Sequence, residues 1–383
     1  MLFHVVKHEQ EVKSGMRNRY VILALALVFA AALVLGGCGG GDKKPAAPAA
    51  PEKMKVAFVY IGPVGDAGWT YAHEQGRKYL MEKMPDIQST IIESVPEGAD
   101  SERVITQLAE QGHKVIFTTS FGYMDPTINV AKKYPNVVFM HCSGFKTAAN
   151  VGTYFGRIEE ARYLTGIAAG KATKSNVIGY VAAFPIPEVV RGINGFTLGV
   201  RSVNPNAKVK VIWTNTWYDP AKEKQAAVSL LDAGADVIAQ HQDTPGPQQA
   251  AEEKGKFSVG YNTDMSKMAP KAVLTSAVWN WGPYYVKVID SVKKGTWKSE
   301  QYWGHMSDGI ADIAPLGPMV QEDTKKLIAD AKAKIVKGDL KIFAGPLKDQ
   351  SGAVKVPAGQ VMSDKDQLGW TWFVEGVDGT IPK

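Results

Sequence analysis

The stretch VAFVYI at residues 56–61 and the loop GPVGDAG at residues 62–68 decide the fold of this chain. The first is an unbroken apolar run, which predicts a short strand that is buried on both faces. The loop is rich in glycine, and a helical pattern follows it as far as Leu80. A buried strand, a loop and a helix in this order form the repeating unit of a parallel sheet that is covered by helices.

The same unit recurs along the chain in two series. The first series predicts further strands at residues 87–94, 115–117 and 137–140, with helices at 101–111 and 126–133. The second begins with a helix at 159–171 and predicts strands at 177–182, 208–213, 236–239 and 257–260, alternating with helices at 188–203, 221–233 and 247–254. Two successive series predict an α/β protein with two doubly wound, Rossmann-like lobes.

The predicted first lobe comprises residues 54–157 and 280–305, because a helix at 282–294 crosses back to it. The predicted second lobe comprises residues 158–279 and 306–345. The rest of the chain, residues 346–383, is rich in turn signals and predicts an extended tail on the surface. Two facing lobes form a hinge and a central cleft, and ligands of open α/β sheets lie beyond the carboxyl ends of the strands.

The N-terminal region has the pattern of a secretory signal. A cationic segment at residues 16–20 precedes an apolar run at residues 21–35, and small residues follow it. The run is shorter than the roughly twenty residues of a membrane span. We therefore predict a signal peptide at residues 1–37, with Met16 as the true start.

The signal ends in LGGC at residues 35–38, which resembles the lipobox of bacterial lipoproteins. In those proteins the cysteine is acylated and becomes the new N-terminus, so lipidation is predicted at Cys38. Residues 38–53 are mostly Gly, Ala, Pro and Lys, which predicts a flexible tether between the lipid and the folded body. An ordinary signal peptide or an uncleaved anchor is the alternative.

Composition and motifs narrow the function classes. The net charge of +6 is spread along the 383 residues. Nucleic-acid binding needs Lys and Arg clustered on one face, so a nucleic-acid partner is not predicted. None of the seven histidines has a metal-ligand spacing, so neither a metal nor another cofactor is predicted. An enzyme is disfavoured because Cys142 beside His141 lacks an oxyanion loop and Ser120 lacks a G-x-S-x-G elbow.

Candidate ligand-binding residues follow the strands of the first lobe. The first loop brings Asp66, Trp69 and Thr70 to the start of a helix, where an aromatic side chain can stack on a planar ring. The loop TTSFGYMDP at residues 118–126 adds Phe121, Tyr123 and Asp125. Two alternatives stay open: Asp66 and Asp125 can simply cap helices, and Trp69 can fill the surface of the lobe.

Strand ends in the second lobe repeat the pairing of aromatic and polar side chains. The candidates are Trp217, Gln242, Asn262, Asp264, Trp279 and Asn280. Aromatic faces supply stacking, while amide and carboxylate groups supply directional hydrogen bonds. The combination indicates a flat, polar heterocycle as the ligand.

Four segments resemble the basic membrane protein family, whose members are lipid-anchored solute-binding components of ATP-driven importers. The resemblance lies in Met54–Tyr71, Phe117–Asp125, Asn150–Gly170 and Trp213–Asp264. It implies a type I periplasmic binding protein fold and a purine nucleoside ligand. The sandwich of aromatic rings that holds the purine in this family would fall on Trp69 and Trp217, with Phe121 or Tyr123 nearby. The acidic residues of the family would fall on Asp66 and Asp125.

Two positions depart from the family pattern of nucleoside binding. The resemblance implies an aspartate and a lysine as partners of the ribose hydroxyl groups, but this chain carries Asn262 at the first place and no lysine near Trp279 and Asn280. A flatter site without these partners favours a free purine base such as adenine. A nucleoside ligand, or a ligand-sensing receptor subunit, is the alternative.

The resemblance also implies partners and a location. The partners are the permease and ATPase subunits of an ABC importer, and the membrane through the lipid anchor. We expect a monomer that lies outside the cytoplasm, lipid-anchored at the cell membrane.

Overall fold

The computed structural model describes residues 52–382. The predicted signal peptide at residues 1–37, the lipidation site Cys38 and most of the tether at residues 38–53 lie outside this range. Within the described range, no helix combines the length and the apolar character that crossing a membrane requires.

Strands and helices alternate through most of the described chain. The strands are β1 Met54–Val59, β2 Ile87–Ile92, β3 Val115–Thr118, β4 Val138–Cys142, β5 Val151–Gly156, β6 Val177–Ala182, β7 Lys208–Trp213, β8 Val237–His241, β9 Phe257–Asn262, β10 Val273–Trp279, β11 Gln301–Gly304, β12 Ala311–Ile313, β13 Leu347–Lys348, β14 Val354–Val356 and β15 Val377–Asp378. The helices are α1 Trp69–Lys83, α2 Ala99–Glu110, α3 Met124–Lys133, α4 Ile158–Ala172, α5 Pro187–Val203, α6 Pro220–Asp232, α7 Gly246–Glu253, α8 Gly282–Lys293, α9 Glu322–Lys337 and α10 Asp364–Leu368.

The first sheet has six strands in the order β11-β5-β4-β3-β1-β2. All its pairs are parallel. The central strand β3 is buried along its whole length, because helices cover both faces of the sheet. Helix α8 packs against α1, which returns the chain to this sheet before β11 joins its edge.

The second sheet has seven strands in the order β12-β10-β9-β8-β6-β7-β15. Its pairs are parallel except for β12, which runs antiparallel to β10. These two doubly wound sheets confirm the predicted α/β fold of the type I periplasmic binding proteins.

The C-terminal segment contributes more than the extended tail that its turn signals predict. Strand β15 pairs with β7 and so extends the second sheet at its edge. Helix α10 is held by Arg157, the residue after β5, whose guanidinium donates to both carboxylate oxygens of Asp364 at 3.0 and 2.6 Å. The segment therefore joins the second sheet to the chain that leaves β5.

Candidate functional site

A small cavity lies where the loops at the carboxyl ends of the two sheets meet. The first sheet and its helices supply Ile61, Trp69, Ser120, Phe121 and Ser143. The second sheet and its helices supply Glu188, Trp217, His241, Asp243 and Tyr261. Its position is the one expected for ligands of open parallel sheets.

Asp66 fixes the first loop by capping helix α1. Its carboxylate accepts the backbone N–H groups of Gly68, Thr70 and Tyr71 at 2.8, 2.8 and 2.9 Å. Burial raises the pKa of Asp66 to about 6, while these three hydrogen bonds act in the opposite direction. Thr70 stabilises the beginning of the loop, because its hydroxyl oxygen accepts the N–H of Gly62 at 3.2 Å. Asp66 and Thr70 hold the loop in place.

Trp69 forms the first-lobe wall and is only 7% exposed. Its indole N–H donates to the carbonyl of Thr119 at 2.7 Å. The rings of Trp279 and Trp281 meet it edge-on, with interplanar angles of 80° and 83°. The indole is therefore fixed in position before any ligand arrives.

Asn262 and Trp279 lie behind this wall. The indole N–H of Trp279 donates to the side-chain oxygen of Asn262 at 3.0 Å, and the Asn262 amide donates to the carbonyl of Gln242 at 3.2 Å. Trp279 also stacks on Trp281 with ring centroids 4.5 Å apart. The pair stabilises Trp69 from behind and does not line the cavity.

Trp217 forms the second-lobe wall of the cavity, and its ring is fixed by fewer contacts than that of Trp69. Trp217 is half-buried, and its ring lies 5.0 Å from that of Phe184 and 6.4 Å from that of His241. Among the described residues, none accepts a hydrogen bond from the indole N–H of Trp217. The structure thus brings Trp69, Trp217 and Phe121 to one cavity, as the sequence predicts for an aromatic site.

Glu188 connects the two lobes across the cavity. Its carboxylate accepts the hydroxyl of Ser143, which follows β4 of the first sheet, and lies 3.4 Å from Nε2 of His241. Burial lowers the pKa of His241 to about 4, so the imidazole is neutral at physiological pH. Because Glu188 faces Nε2, the neutral ring carries its proton on that nitrogen.

Asp243 brings a second carboxyl group to the cavity and is 4% exposed. None of the described residues donates a hydrogen bond to it. Burial is the main cause that raises the pKa of Asp243 well above the usual value, and the nearby carboxylates of Asp66, Glu223 and Glu188 add to it. A buried carboxyl without a protein partner is costly unless a ligand supplies one.

The lobes touch at the mouth of the cavity. A Cβ atom on Gly68 would lie 2.2 Å from the carbonyl oxygen of Asp243, which only glycine avoids. The hydroxyl of Thr263 in the second lobe donates to the carbonyl of Ala67 in the first at 2.5 Å. These contacts join the two lobes beside the cavity.

Several predicted site residues lie away from the cavity. Tyr123 is fully buried in the core of the first lobe, where its hydroxyl donates to the carbonyl of Val95 at 2.5 Å. Asp125 has a 67% exposed side chain that pairs with Lys146 at 2.5 Å. The others are Gln242, which donates to Thr214; Asp264, which accepts the N–H of Ser266; and Asn280, which donates to the carbonyl of Gly309.

No group of three or more His, Cys, Asp or Glu side chains within residues 52–382 could hold a metal ion. The site instead offers aromatic faces, two carboxyl groups and a neutral imidazole. This arrangement can stack on a flat molecule and bond to its polar edge.

Comparison with known proteins decides the family. The model of the family described as "ABC transporter substrate-binding protein PnrA-like" (Bmp) matches residues 53–343. The chain belongs to this family. Its members are solute-binding proteins, not a class of enzymes, and in ABC importers such proteins are extracytoplasmic and work with a permease and an ATPase.

Two relatives and one solved structure show how far the similarity of this PnrA-like protein extends. A purine-binding protein of Brucella abortus (strain 2308) is 46% identical over 94% of this chain and 100% of its own length. A protein of Haloferax volcanii, named as a candidate glucose-binding protein of an ABC transporter, is 42% identical over 90% of this chain and 84% of its own. An ABC transporter solute-binding protein of Aeropyrum pernix K1 shares the fold with a TM-score of 0.67, at 20% identity over 77% of this chain and 93% of its own.

Part of the cavity was not predicted from the sequence. Its additional lining residues are Ile61, Ser120, Ser143, Glu188, His241, Asp243 and Tyr261. In the loop QHQDT at residues 240–244 the sequence favoured Gln242, whereas the structure places His241 and Asp243 in the cavity and the Gln242 amide donates to Thr214.

Proposed function

We propose that this PnrA-like protein binds a purine in the cavity between its lobes, with a free base such as adenine preferred, and delivers it to the permease of an ABC importer. The observation that carries the proposal is the meeting of Trp69, Trp217 and Asp243 in one small cavity, where the Asp243 carboxyl receives no hydrogen bond from the described residues. Two indoles suit the faces of a purine, and a carboxyl group suits its polar edge.

The relative from Brucella abortus supports this ligand class, since it is named for purine binding and is similar over nearly the whole chain. The chemistry of the cavity points the same way. Its polar groups are two carboxyls, a neutral imidazole and hydroxyls, and purines carry N–H donors for such acceptors.

A nucleoside is the first alternative. A larger cavity of about 1260 Å³ shares Phe121, Ser143 and Glu188 with the site and continues toward β11 and α10. A sugar attached to the base would extend into it. The free base is preferred because the family resemblance implies an aspartate and a lysine as ribose partners, whereas this chain has Asn262 at the first place and no lysine near Trp279.

A hexose is the second alternative, favoured by the relative from Haloferax volcanii and by the two carboxyls, which can accept sugar hydroxyls. Isothermal titration calorimetry with adenine, hypoxanthine, adenosine, inosine and glucose distinguishes a free base, a nucleoside and a hexose as the ligand. We expect the bases to bind more tightly than their nucleosides and glucose to give no binding heat. Tighter binding of nucleosides would contradict the free-base preference, and binding of glucose alone would contradict a purine ligand.

The proposal includes a lipid anchor at Cys38 and a monomeric protein at the cell membrane, supported by the lipobox-like LGGC at residues 35–38. In this arrangement the protein hands its ligand to the permease and does not signal to a receptor. Replacing Cys38 by Ala should leave the precursor unprocessed in cells. A cleaved, soluble product from that variant would exclude lipidation.

A further inference from the structure

Asp243 has an unusual surrounding for a carboxyl group. Asp243 is only 4% exposed and lines the cavity. No described residue donates a hydrogen bond to its carboxyl group. The next residue, Thr244, directs both its N–H and its hydroxyl to Glu223, at 3.1 and 2.5 Å. Any hydrogen bond to the Asp243 side chain must therefore come from the ligand or from water.

The charges around Asp243 are negative. Asp66 faces it from the first loop, Glu223 from α6, Glu188 from α5 and Glu97 from the loop before α2, and each of them raises its pKa in addition to burial. The neighbouring His241 is neutral because burial lowers its pKa to about 4. The ammonium of Lys224 pairs with Glu253 at 2.6 Å. The buried guanidinium of Arg162 lies over the ring of Tyr261 and donates to the carbonyl of Gln240. Burial and the surrounding carboxylates disfavour a negative charge on Asp243 and so favour its neutral acid.

We propose that Asp243 meets the ligand as a neutral carboxylic acid and selects a purine edge on which an N–H donor stands beside an acceptor. The inference rests on the proposed function, since it assumes a purine in the cavity. A neutral carboxylic acid presents an O–H donor beside a carbonyl acceptor, whereas a carboxylate presents acceptors only. The 6-amino edge of adenine and the N1–O6 edge of hypoxanthine both match the neutral acid. Neither offers the two adjacent N–H donors that a carboxylate would bind in bidentate fashion.

Two substitutions of Asp243 distinguish a neutral carboxylic acid from a carboxylate as the group that binds the purine. Asp243→Asn keeps a donor beside an acceptor in nearly the same shape, so it should bind adenine within about threefold of the wild-type protein. Asp243→Ala removes both groups and should weaken binding by about ten- to a hundredfold, as expected for two hydrogen bonds in a buried site. The matched control is Asp232→Asn, an exposed carboxylate of the same lobe that pairs with Lys254, and it should leave affinity unchanged.

Calorimetry with adenine and hypoxanthine at pH 6.0, 7.0 and 8.5 is the experiment. If Asp243 binds as the neutral acid, wild-type affinity is constant or falls as pH rises, and Asp243→Asn is never the weaker of the two. An affinity that rises with pH, or Asp243→Asn as weak as Asp243→Ala, would overturn the inference while purine binding stands. If the wild-type protein binds neither base, the proposed function itself fails.

A melting experiment without ligand checks that the variants fold. Both substitutions remove a buried acid that has no partner among the described residues, so the melting temperature should stay equal or rise. A lower melting temperature in both variants would show that Asp243 has a structural partner, and would contradict the inference.

Discussion

On the first-lobe wall of the cavity, Trp69 donates its indole N–H to Thr119 and Asp66 accepts three backbone N–H groups. On the second-lobe wall, Trp217 is half-buried and Asp243 receives no hydrogen bond from the described residues. The first wall is built into the packing of its lobe, and the second leaves the carboxyl of Asp243 for a ligand. A substitution in the first wall should therefore change stability and affinity together, and one in the second wall should change affinity alone.

The largest effect is expected for Trp69→Ala. The ring is 7% exposed and packs against Trp279, Trp281 and His73, so its removal leaves a cavity and should cost about 3–5 kcal/mol of unfolding free energy. Urea unfolding measures the decrease in the free energy of unfolding, and calorimetry should show weaker adenine binding. Wild-type stability in this variant would show that the first wall is not part of the core.

Trp217→Ala should weaken adenine binding by roughly ten- to a hundredfold, since stacking on one base face contributes about 1–3 kcal/mol. Its melting temperature should change little because the ring is half-buried. Trp213→Ala is the matched control, because its indole N–H bonds to Thr380 in the C-terminal segment and Trp213 does not line the cavity. If both variants kept wild-type affinity for adenine, the stacking role of Trp217 would be excluded.

A smaller effect is expected at the mouth of the cavity. Thr263→Val keeps the side-chain shape but removes the hydroxyl that bonds to Ala67 across the lobes. Loss of one such hydrogen bond costs about 0.5–1.5 kcal/mol, so affinity should fall by about two- to tenfold, through faster dissociation in stopped-flow experiments. Thr106→Val, on the surface helix α2, removes a bond to Glu102 within one helix and should not change dissociation.

The smallest effect is expected for Asp125→Ala. The sequence placed this carboxylate in the site, but its side chain is 67% exposed and pairs with Lys146. Surface ion pairs contribute about 0–1 kcal/mol to stability, and the structure gives Asp125 no contact with the cavity. Calorimetry should show adenine affinity within about twofold of wild type, in contrast to Asp243→Ala. A large loss would mean that the lobes rearrange to bring Asp125 to the ligand.

The alternation of apolar runs and helices predicted most of the two sheets because buried parallel strands have a strong local pattern. Strand β6 at Val177–Ala182 is an example. Strand β10 was missed because Thr275 and Ser276 interrupt its apolar run, although both are buried. Helix α9 was missed because most of its residues are exposed.

The cavity was harder to predict than the sheets. Trp69 and Trp217 could be selected because an aromatic at a strand end is conspicuous and the family resemblance pointed to the same positions. Asp243 and Glu188 could not be ranked against Asp125 and Asp264, because all four are acids in loops or first helical turns. Their difference is a matter of burial and partners, which depend on contacts between lobes far apart in sequence.

A crystal structure of the protein with adenine tests the central claim most directly. The account predicts the purine ring between the indoles of Trp69 and Trp217, with one edge within hydrogen-bond distance of the Asp243 carboxyl and the two lobes joined by the hydrogen bond from Thr263 to Ala67. Adenine bound outside this cavity, or inside it without contact to Asp243 and either indole, would contradict the account.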